Sequence, residues 1–448
     1  MLFVLGEYLI AGRGAAEISA SVERAVGSGE LEPGQSLPPM RELAERLGVN
    51  PNTVAAAYRT LRERGVIETA GRRGSRVRAK PATTGREFIR VEVPEGVRDL
   101  SDGNPDPALL PALGPVFAAA AEQGDREPVL YGHAAVAEGL ARVARAELDA
   151  DGVPDGPVVV TSGSLDAMER VLATHLRPGD AVAVEDPGWG SLLDLVPALG
   201  LRTVPVRVDD EGPLPEDVRR VLAAGARALV VTVRAQNPTG AAVGAARAAD
   251  LRSVLSDHPE TLLIEDDHGH RIVDLPPHPL AGTTHSWAFV RSAAKACGPD
   301  LRLAVCTGDP VTLDRVRGRQ RLGPGWVSHV TQRAVALLWA GGAVDAHAVA
   351  PVYGRRRDAL LAALADHGVA AHGRSGMNVW IPVPDETGAV ARLLHAGWAV
   401  APGARFRVGA PPGIRITVST LSDEDIGPLA AAVAAAVGPG AEASRSYV

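Results

Sequence analysis

The sequence is poor in lysine and cysteine. Lys80 and Lys295 are its only lysines, and arginine supplies the rest of its 46 basic residues. Because a guanidinium group stays protonated and cannot form an imine, a lone lysine in the larger part of the chain is a candidate for covalent chemistry. A surface lysine kept by chance is the alternative. The two cysteines, Cys297 and Cys306, provide neither a disulfide framework nor a four-ligand metal site, so we predict no metal and a reducing, cytoplasmic setting.

Long apolar runs and an overall basic charge are also absent. No uninterrupted apolar segment is long enough to cross a bilayer, and Met1–Gly12 lacks the basic leader and cleavage pattern of a signal peptide. The net charge is −7, yet the first 80 residues hold twelve Lys/Arg against nine Asp/Glu. This local excess is concentrated in Gly71–Lys80. It is expected of an attached nucleic-acid-binding module, although a solvated linker would look similar.

The first 79 residues contain signals for three helices and for where they begin and end. The spacing of apolar residues predicts a helix over Ala15–Ser28 and a second over Met40–Leu47 that ends at Gly48. Asn50 and Pro51 are a typical N-cap and first residue for a third helix, which we expect to run to about Arg64. A hairpin then follows around residues 71–74. Short helices joined by a glycine-containing turn and followed by a basic hairpin predict a winged helix-turn-helix over residues 1–79.

The residue string from Gly29 to Val54, which includes Ser-Leu-Pro-Pro-Met-Arg-Glu-Leu-Ala, resembles the DNA-binding domain of the GntR family. The resemblance implies that Arg41 contacts a phosphate or a base edge and that the recognition helix begins near Asn50. The DNA-binding residues expected from it are Arg41, Asn50, Asn52 and Thr53 in the helices and Arg72, Arg73 and Gly74 in the wing. The family often has arginine where this chain has Pro51, so one common base contact is missing.

The remaining chain divides by composition. Residues 80–99 mix proline, threonine, glycine and charge without a sustained period, and we expect a linker there. Residues 100–437 are expected to form the large domain, and residues 438–448 a disordered tail. In the large domain, helical segments alternate with short apolar runs such as Val158–Thr161, Ala228–Thr232 and Leu262–Ile264. This alternation predicts an α/β fold with functional groups at the carboxyl ends of buried strands.

The segments that follow these strands match the needs of one cofactor. In chain order they offer an anion-binding turn at Ser162–Ser164, an aromatic face at Trp189, the string Asn237-Pro-Thr-Gly, paired aspartates at 266–267, and Lys295. Pyridoxal phosphate has a phosphate, an aromatic ring, a pyridine nitrogen, a phenolic oxygen and an aldehyde, which would engage these groups in turn. Each motif alone has an ordinary structural explanation. It is their combination that indicates the cofactor.

The order of these motifs resembles fold type I aminotransferases over residues 100–435, and together with the GntR-like N-terminus it resembles the MocR subfamily. The implied fold has a large α/β domain with a smaller C-terminal α+β subdomain. Lys295 would form the internal aldimine with pyridoxal 5'-phosphate. Asp266, in preference to Asp267, would face the pyridine nitrogen, and Arg415 would bind a ligand carboxylate. The other cofactor-binding residues implied are Tyr131 from across a homodimer, Ser162, Gly163, Ser164, Trp189, Asn237, His268, Ser292 and Arg302.

Three positions depart from the aminotransferase pattern. His268 stands where the family commonly has tyrosine, Ala294 stands where it has serine before the lysine, and Met377-Asn378 replaces a Leu-His pair. These changes leave cofactor binding intact but weaken the case for turnover, which needs tuned acid–base groups around Lys295. An ordinary strand-end role for His268 is the alternative to a cofactor contact.

The sequence therefore predicts a DNA-binding transcription regulator that responds to the cofactor or to an amine or amino-acid effector, without net catalysis. An active aminotransferase with an accessory DNA-binding arm is the first alternative. The second is a DNA-binding protein whose large domain serves only for dimerisation.

Overall fold

The computed structural model describes residues 10–28, 30–32, 34–63, 66–69, 74–77, 85–86, 89, 91–342 and 344–437. Arg72 and Arg73 of the wing, and the tail predicted for residues 438–448, lie outside this part of the chain. No helix within it is both long enough and apolar enough to span a bilayer.

The N-terminal unit contains three helices and a hairpin, as the sequence predicts. Its elements are α1 (Ala15–Ser28), α2 (Met40–Leu47), α3 (Pro51–Glu63), β1 (Ile67–Thr69) and β2 (Ser75–Val77). Gly48 ends α2 in a left-handed conformation, with φ of +64°. The side chain of Asn50 accepts a hydrogen bond from the Asn52 amide at 2.8 Å, so Asn50 caps α3. Buried Tyr58 donates from its hydroxyl to the Pro38 carbonyl at 2.8 Å, which fixes α3 against the segment before α2.

The large unit is built on an eight-stranded sheet. The first elements of this unit, in chain order, are β3 (Arg98–Asp99), α4 (Leu113–Arg126), α5 (Glu138–Ala150), β4 (Val158–Thr161), α6 (Ser164–His175), β5 (Ala181–Asp186), α7 (Gly190–Ala198), β6 (Arg202–Asp209), β7 (Gly212–Pro213), α8 (Pro215–Ala223), β8 (Ala228–Thr232), α9 (Ala245–Ser256), β9 (Leu262–Asp267), β10 (Ser286–Ser292), α10 (Ala294–Cys297), β11 (Ala304–Gly308), α11 (Pro310–Arg321) and α12 (His329–Ala340). The strand order is β4-β11-β10-β9-β8-β5-β6-β7. Strands β5, β8, β9 and β10 are parallel, and β11 is antiparallel to both of its neighbours.

A smaller α+β subdomain completes the large unit. Its elements are α13 (Ala346–Asp366), β12 (Asn378–Pro382), α14 (Glu386–His395), β13 (Trp398–Ala399), β14 (Ala401–Pro402), β15 (Gly413–Thr417) and α15 (Asp423–Val437). Strands β12, β15 and β14 form a three-stranded antiparallel sheet. Apolar side chains from this sheet and its helices form a core separate from that of the eight-stranded sheet. The predicted division of the large domain is therefore confirmed.

The predicted linker over residues 80–99 is too long at its C-terminal end. Strand β3 pairs in parallel with β13, and the amide of Leu100 continues the pairing by donating to the Ala399 carbonyl at 2.8 Å. Arg98 also donates from its guanidinium to the Thr420 carbonyl at 2.6 Å. A two-residue strand has too few positions to show a period, which is why the sequence pattern missed it.

Candidate functional site

A cavity of about 420 Å³ lies at the carboxyl ends of the parallel strands. Its lining includes most of the side chains that the sequence singles out: Gly163, Ser164, Trp189, Asn237, Asp266, His268, Ser292, Lys295 and Arg302. Gly103 and Ser191, which no sequence motif indicates, also line it, as do Met377 and Asn378, which depart from the aminotransferase pattern. Clefts at this edge of a parallel sheet are the usual ligand sites of open α/β folds.

The anion-binding part of the cavity lies where β4 ends and α6 begins. Gly163 has φ of +95°, and a β-carbon there would lie 3.3 Å from Nη2 of Arg302. Glycine is therefore favoured both by the backbone conformation and by the space available. Ser164 begins α6, and its buried hydroxyl finds no hydrogen-bond partner among the described residues. A helix N-terminus beside an uncommitted hydroxyl and a guanidinium is a donor set suited to phosphate.

Lys295 lies on the short helix α10, directly after β10. Its Nζ donates a hydrogen bond to the backbone carbonyl of Gly103. Burial lowers the pKa of Lys295 to about 8, and nearby Arg415 adds to this effect while Asp102 opposes it. A substantial fraction of the amine is therefore neutral near physiological pH, which is the form that attacks an aldehyde.

The paired aspartates at the end of β9 point in opposite directions. Asp266 faces the cavity; one of its carboxylate oxygens, Oδ2, contacts Nδ1 of His268 at 2.7 Å, and the other, Oδ1, is buried without a partner within the described chain. Asp267 faces away from the cavity, because successive side chains of a strand alternate between faces. It binds Arg234 through two hydrogen bonds of 2.8 and 3.1 Å, and Arg291 at 3.0 Å. These arginines, despite the burial of Asp267, hold the pKa of its carboxyl group well below the ordinary value.

Asn237 and Arg415 are linked to each other. The Arg415 guanidinium donates from Nη1 to Asn237 Oδ1 at 3.0 Å and from Nη2 to the Ser101 carbonyl at 2.5 Å, and it lies over the ring of Phe406. Burial and the neighbouring Arg405 lower the pKa of Arg415, while Asp102 opposes the shift. Arg415 lies directly behind Gly103, since a β-carbon on Gly103 would come within 3.3 Å of Nη1.

The side chain of Gln236 holds the turn that carries Asn237. Its amide group donates to Glu185 at 3.2 Å and to the Pro187 carbonyl at 2.8 Å, and its oxygen accepts from the hydroxyl of Thr239 at 2.6 Å. Burial raises the pKa of Glu185 to about 7, partly offset by hydrogen bonds from Thr232 and Gln236. The buried polar side chains at the ends of β5 and β8 therefore fix the position of Asn237.

The donor set of this cavity fits pyridoxal phosphate. Ser164 and Asp266 each present a buried polar atom that has no partner among the described residues. The hydroxyl of Ser164 suits the phosphate, and the carboxylate of Asp266 suits the pyridine nitrogen at the other end of the cofactor. Buried polar groups are almost always paired, so two such atoms in one cavity indicate a polar ligand. Lys295, Asn237 and Trp189 supply the amine, amide and ring face that the rest of the cofactor needs.

Two predicted cofactor-binding residues are not brought to the cavity within one chain. Tyr131 is 93% exposed and packs edge-on against Trp326, with ring centroids 5.8 Å apart. Ser162 is exposed, and its amide is bound by Asp166 at 2.9 Å. The acceptors supplied by Ser101 and Gly103 are not predicted from the sequence, because they are backbone carbonyls, which every residue has.

The candidate nucleic-acid interface is the exposed surface around the start of α3. Arg41, Asn50 and Asn52 are exposed, and Thr53 is half-buried. Gly74, with φ of +82°, comes directly before β2 of the hairpin. Within the hairpin, Arg76 donates to Glu68 at 2.6 Å, so part of the basic charge there is paired.

Two family models match the chain. Residues 15–77 match the bacterial regulatory proteins of the gntR family, and residues 96–433 match aminotransferase class I and II. The chain resembles solved aminotransferase structures: that of kynurenine aminotransferase from Pyrococcus horikoshii has a TM-score of 0.68 at 19% identity, covering 82% of this chain and 98% of the other. An aspartate aminotransferase variant from Thermus thermophilus has a TM-score of 0.67 at 25% identity, covering 76% and 91%.

Similar regulators share both domains. The vitamin B6 salvage pathway transcriptional repressor PtsJ of Salmonella typhimurium is 41% identical, with 94% of this chain and 98% of the relative covered. The HTH-type pyridoxine biosynthesis transcriptional regulator PdxR of Corynebacterium glutamicum is 30% identical, with 73% of each covered. Fold and site thus define a DNA-binding transcription regulator with a domain of the pyridoxal-phosphate-dependent aminotransferase class. The chain belongs to the MocR-type regulators of the GntR family.

The two aspartates should respond differently to loss of charge. Asp267→Asn removes the buried anion that binds both Arg234 and Arg291 and leaves them, among the described residues, only Asp151 as an anionic partner, so the free energy of unfolding should fall by about 3–5 kcal/mol. Asp266→Asn, the matched control, should cost less stability but weaken binding of pyridoxal phosphate. Urea unfolding and cofactor titration measure the two effects. Equal loss of stability in both variants would contradict the division of roles.

Capture of pyridoxal phosphate should depend on pH through Lys295. Because the amine must lose a proton to attack an aldehyde, the capture rate should rise with pH and level off above about 8, well below the range of an ordinary lysine. Stopped-flow absorbance of the lysine-bound cofactor measures this profile. Asp102→Asn should shift the profile to lower pH, since Asp102 raises the pKa of Lys295. A rate that keeps rising to the pH of ordinary lysines would refute the assignment.

Proposed function

We propose that this regulator senses pyridoxal phosphate by capturing it on Lys295 and that capture changes its affinity for operator DNA. The observation that carries the proposal is the cavity around Lys295, where two buried polar atoms without a partner in the described part of the chain complement opposite ends of the cofactor. The names of the relatives, which refer to vitamin B6 salvage and pyridoxine biosynthesis, support the same vitamin as the signal and its metabolism as the regulated process.

Each side chain has a defined task in this proposal. Ser164, Ser292 and Arg302 hold the phosphate at the start of α6, and Trp189 covers one face of the ring. Asp266 pairs with the pyridine nitrogen, and Asn237 donates to the phenolic oxygen. The cofactor supplies an aldehyde that bonds covalently to lysine, and the chain supplies an amine that burial keeps partly neutral.

A short segment offers a route from the cavity to the linker. Ser101 and Gly103 place their carbonyls on Arg415 and Lys295, respectively. The segment follows directly on β3, the first strand after the linker. A cofactor that takes Lys295, or a ligand carboxylate that takes Arg415, competes with these carbonyls. Occupancy of the site therefore changes the contacts of the chain segment that leads to the DNA-binding domain.

The effector proposed beside the cofactor is an amine or amino acid. Arg415 is the candidate for its carboxylate, because its buried guanidinium lies directly behind Gly103, whose carbonyl binds Lys295, and provides a planar pair of donors. An active aminotransferase remains the alternative function, favoured by the presence of both Lys295 and Arg415. Turnover of an amino donor with a keto acid acceptor would distinguish it.

We further propose a homodimer in which Tyr131 reaches the cavity of the partner. Tyr131 is 93% exposed and stands next to Leu130, which is 64% exposed, and adjacent exposed apolar side chains of this kind support an interaction surface. A two-fold dimer would present two recognition helices to paired half-sites.

Replacing Lys295 should abolish the response to the cofactor. Operator duplexes are first selected from a random library with the full-length protein. Pyridoxal phosphate should then give the parent a visible absorption band and change its operator affinity by about fivefold or more. Lys295→Ala should lose both effects. Lys80→Arg, which alters the only other lysine but keeps its charge, should retain both.

Two results would contradict this proposal. A Lys295→Ala variant that still responds to the cofactor would show that this lysine does not report occupancy. A parent without an absorption band would favour a large domain that serves only for dimerisation.

Arg41 should contribute to DNA binding without affecting the cavity. Arg41→Ala should weaken operator binding roughly ten- to hundredfold if the side chain contacts a base, or reduce the salt slope by about one if it contacts a phosphate. Arg219→Ala, an exposed arginine on α8, is the matched control. Fluorescence anisotropy over a range of salt concentrations measures both quantities. Unchanged affinity and slope would exclude Arg41 from the interface.

A further inference from the structure

His268 lies between two hydrogen-bond acceptors. Its Nδ1 contacts Asp266 Oδ2 at 2.7 Å, and its Nε2 contacts the Ala235 carbonyl at 2.8 Å. A neutral imidazole has one donor and one acceptor nitrogen, so two acceptors are satisfied only by the doubly protonated ring. Although burial alone would lower the pKa of His268, its charge interaction and hydrogen bond with Asp266 raise it above the ordinary value.

The second acceptor is held rigidly. Ala235 has φ of +58°, and its amide donates a hydrogen bond to Ser375 Oγ at 2.8 Å. This bond fixes the backbone at Ala235. The preceding residue, Arg234, is bound to Asp267 and to the Leu275 carbonyl. The carbonyl of Ala235 is therefore a fixed point from which His268 can hold Asp266.

We propose that His268 is a positioning residue for cofactor binding: as a cation anchored on the Ala235 carbonyl, it holds Oδ2 of Asp266 and leaves Oδ1 available to the pyridine nitrogen. This inference rests on the proposed binding of pyridoxal phosphate in the cavity. It assigns to His268 a role different from that of the tyrosine common at this position in the family, whose hydroxyl has no counterpart here.

The charges around His268 favour this arrangement. Asp266 attracts the imidazolium, while Lys295 is the cation that opposes it. A buried carboxyl group without a cationic partner tends to take up a proton, and a neutral carboxyl cannot pair with a pyridinium. Since both N–H groups of His268 are already committed, the ring has none left for the phenolic oxygen, whose donor is then Asn237.

A double-mutant cycle on cofactor affinity tests the coupling. The probe is pyridoxamine 5'-phosphate, which has no aldehyde and so binds without bonding to Lys295; calorimetry of the full-length chain gives its Kd. His268→Phe and Asp266→Asn should each weaken binding roughly ten- to hundredfold, the range for loss of a charge-assisted hydrogen bond. The double variant should be no weaker than the weaker single variant, because both changes remove the same interaction.

A second cycle separates this role from direct contact with the phenolic oxygen. His268→Phe combined with Asn237→Ala should show additive losses. Coupling of His268 to Asn237 in place of Asp266, or additive losses in the first cycle, would overturn the inference.

The pH profile gives a readout that a purely structural role would not move. In the parent, affinity for pyridoxamine 5'-phosphate should fall as pH rises past the pKa of His268, which Asp266 raises above its ordinary value despite burial, because a neutral ring cannot donate to both acceptors. His268→Phe should lack this fall, and so should His268→Asn, which keeps one donor without the charge and is less disruptive to folding. An unshifted profile in both variants would refute the role of the cation.

Binding measurements on the parent protein distinguish a failure of the proposed function from a failure of the role of His268. If it binds neither pyridoxal phosphate nor pyridoxamine 5'-phosphate, the proposed function fails. If it binds both and the first cycle is additive, only the role of His268 fails.

Discussion

The site depends on the alternation of side chains at the end of β9. Consecutive aspartates face opposite sides of the strand, so two identical side chains meet opposite environments. Asp267 is fully buried between two guanidinium groups, and Asp266 keeps one carboxylate oxygen for which the described residues offer no partner. Burying a charge is costly unless it is paired. The arginines meet that requirement for Asp267, and a cofactor with a basic ring nitrogen would meet it for Asp266.

The same arrangement extends to the neighbouring loop. Arg234, which neutralises Asp267, is followed directly by Ala235, whose carbonyl binds His268. His268 in turn binds Asp266. The two aspartates are thus connected through a closed set of polar contacts that passes from one face of the strand to the other. Such a network restricts the orientation of Asp266 more than any single hydrogen bond could.

Local signals made much of the fold predictable. Gly48 and Asn50 set the helix boundaries of the N-terminal unit, and uninterrupted apolar runs marked the buried strands, because both depend on near neighbours in sequence. Residues whose roles depend on distant partners were harder to predict. Strand β3 exists because Arg98 and Asp99 pair with residues about 300 positions later, and nothing within the segment signals this.

The site shows the same division. Lys295 could be predicted as a site residue because lysine is so rare in the chain. Asp266 could be predicted because a pair of aspartates directly follows a buried strand. The backbone carbonyls of Ser101 and Gly103 carry no sequence signature, since every residue has one. They matter because of where they lie. Asp102 stands between them in the sequence, and its negative charge acts to raise the pKa of both Lys295 and Arg415.

The position of residues 101–103, between the linker and the cavity, suggests why a regulator would keep an aminotransferase-like cavity. An enzyme needs its binding energy in the transition state, whereas a sensor needs a ligand to favour one arrangement of the chain over another. Here the two cations that a cofactor and a carboxylate ligand would engage are already bound by one three-residue segment, only a few residues beyond the linker. In the proposed sensing mechanism, a ligand in this cavity competes with the chain's own backbone, and that competition would couple occupancy of the site to the segment that leads to the linker.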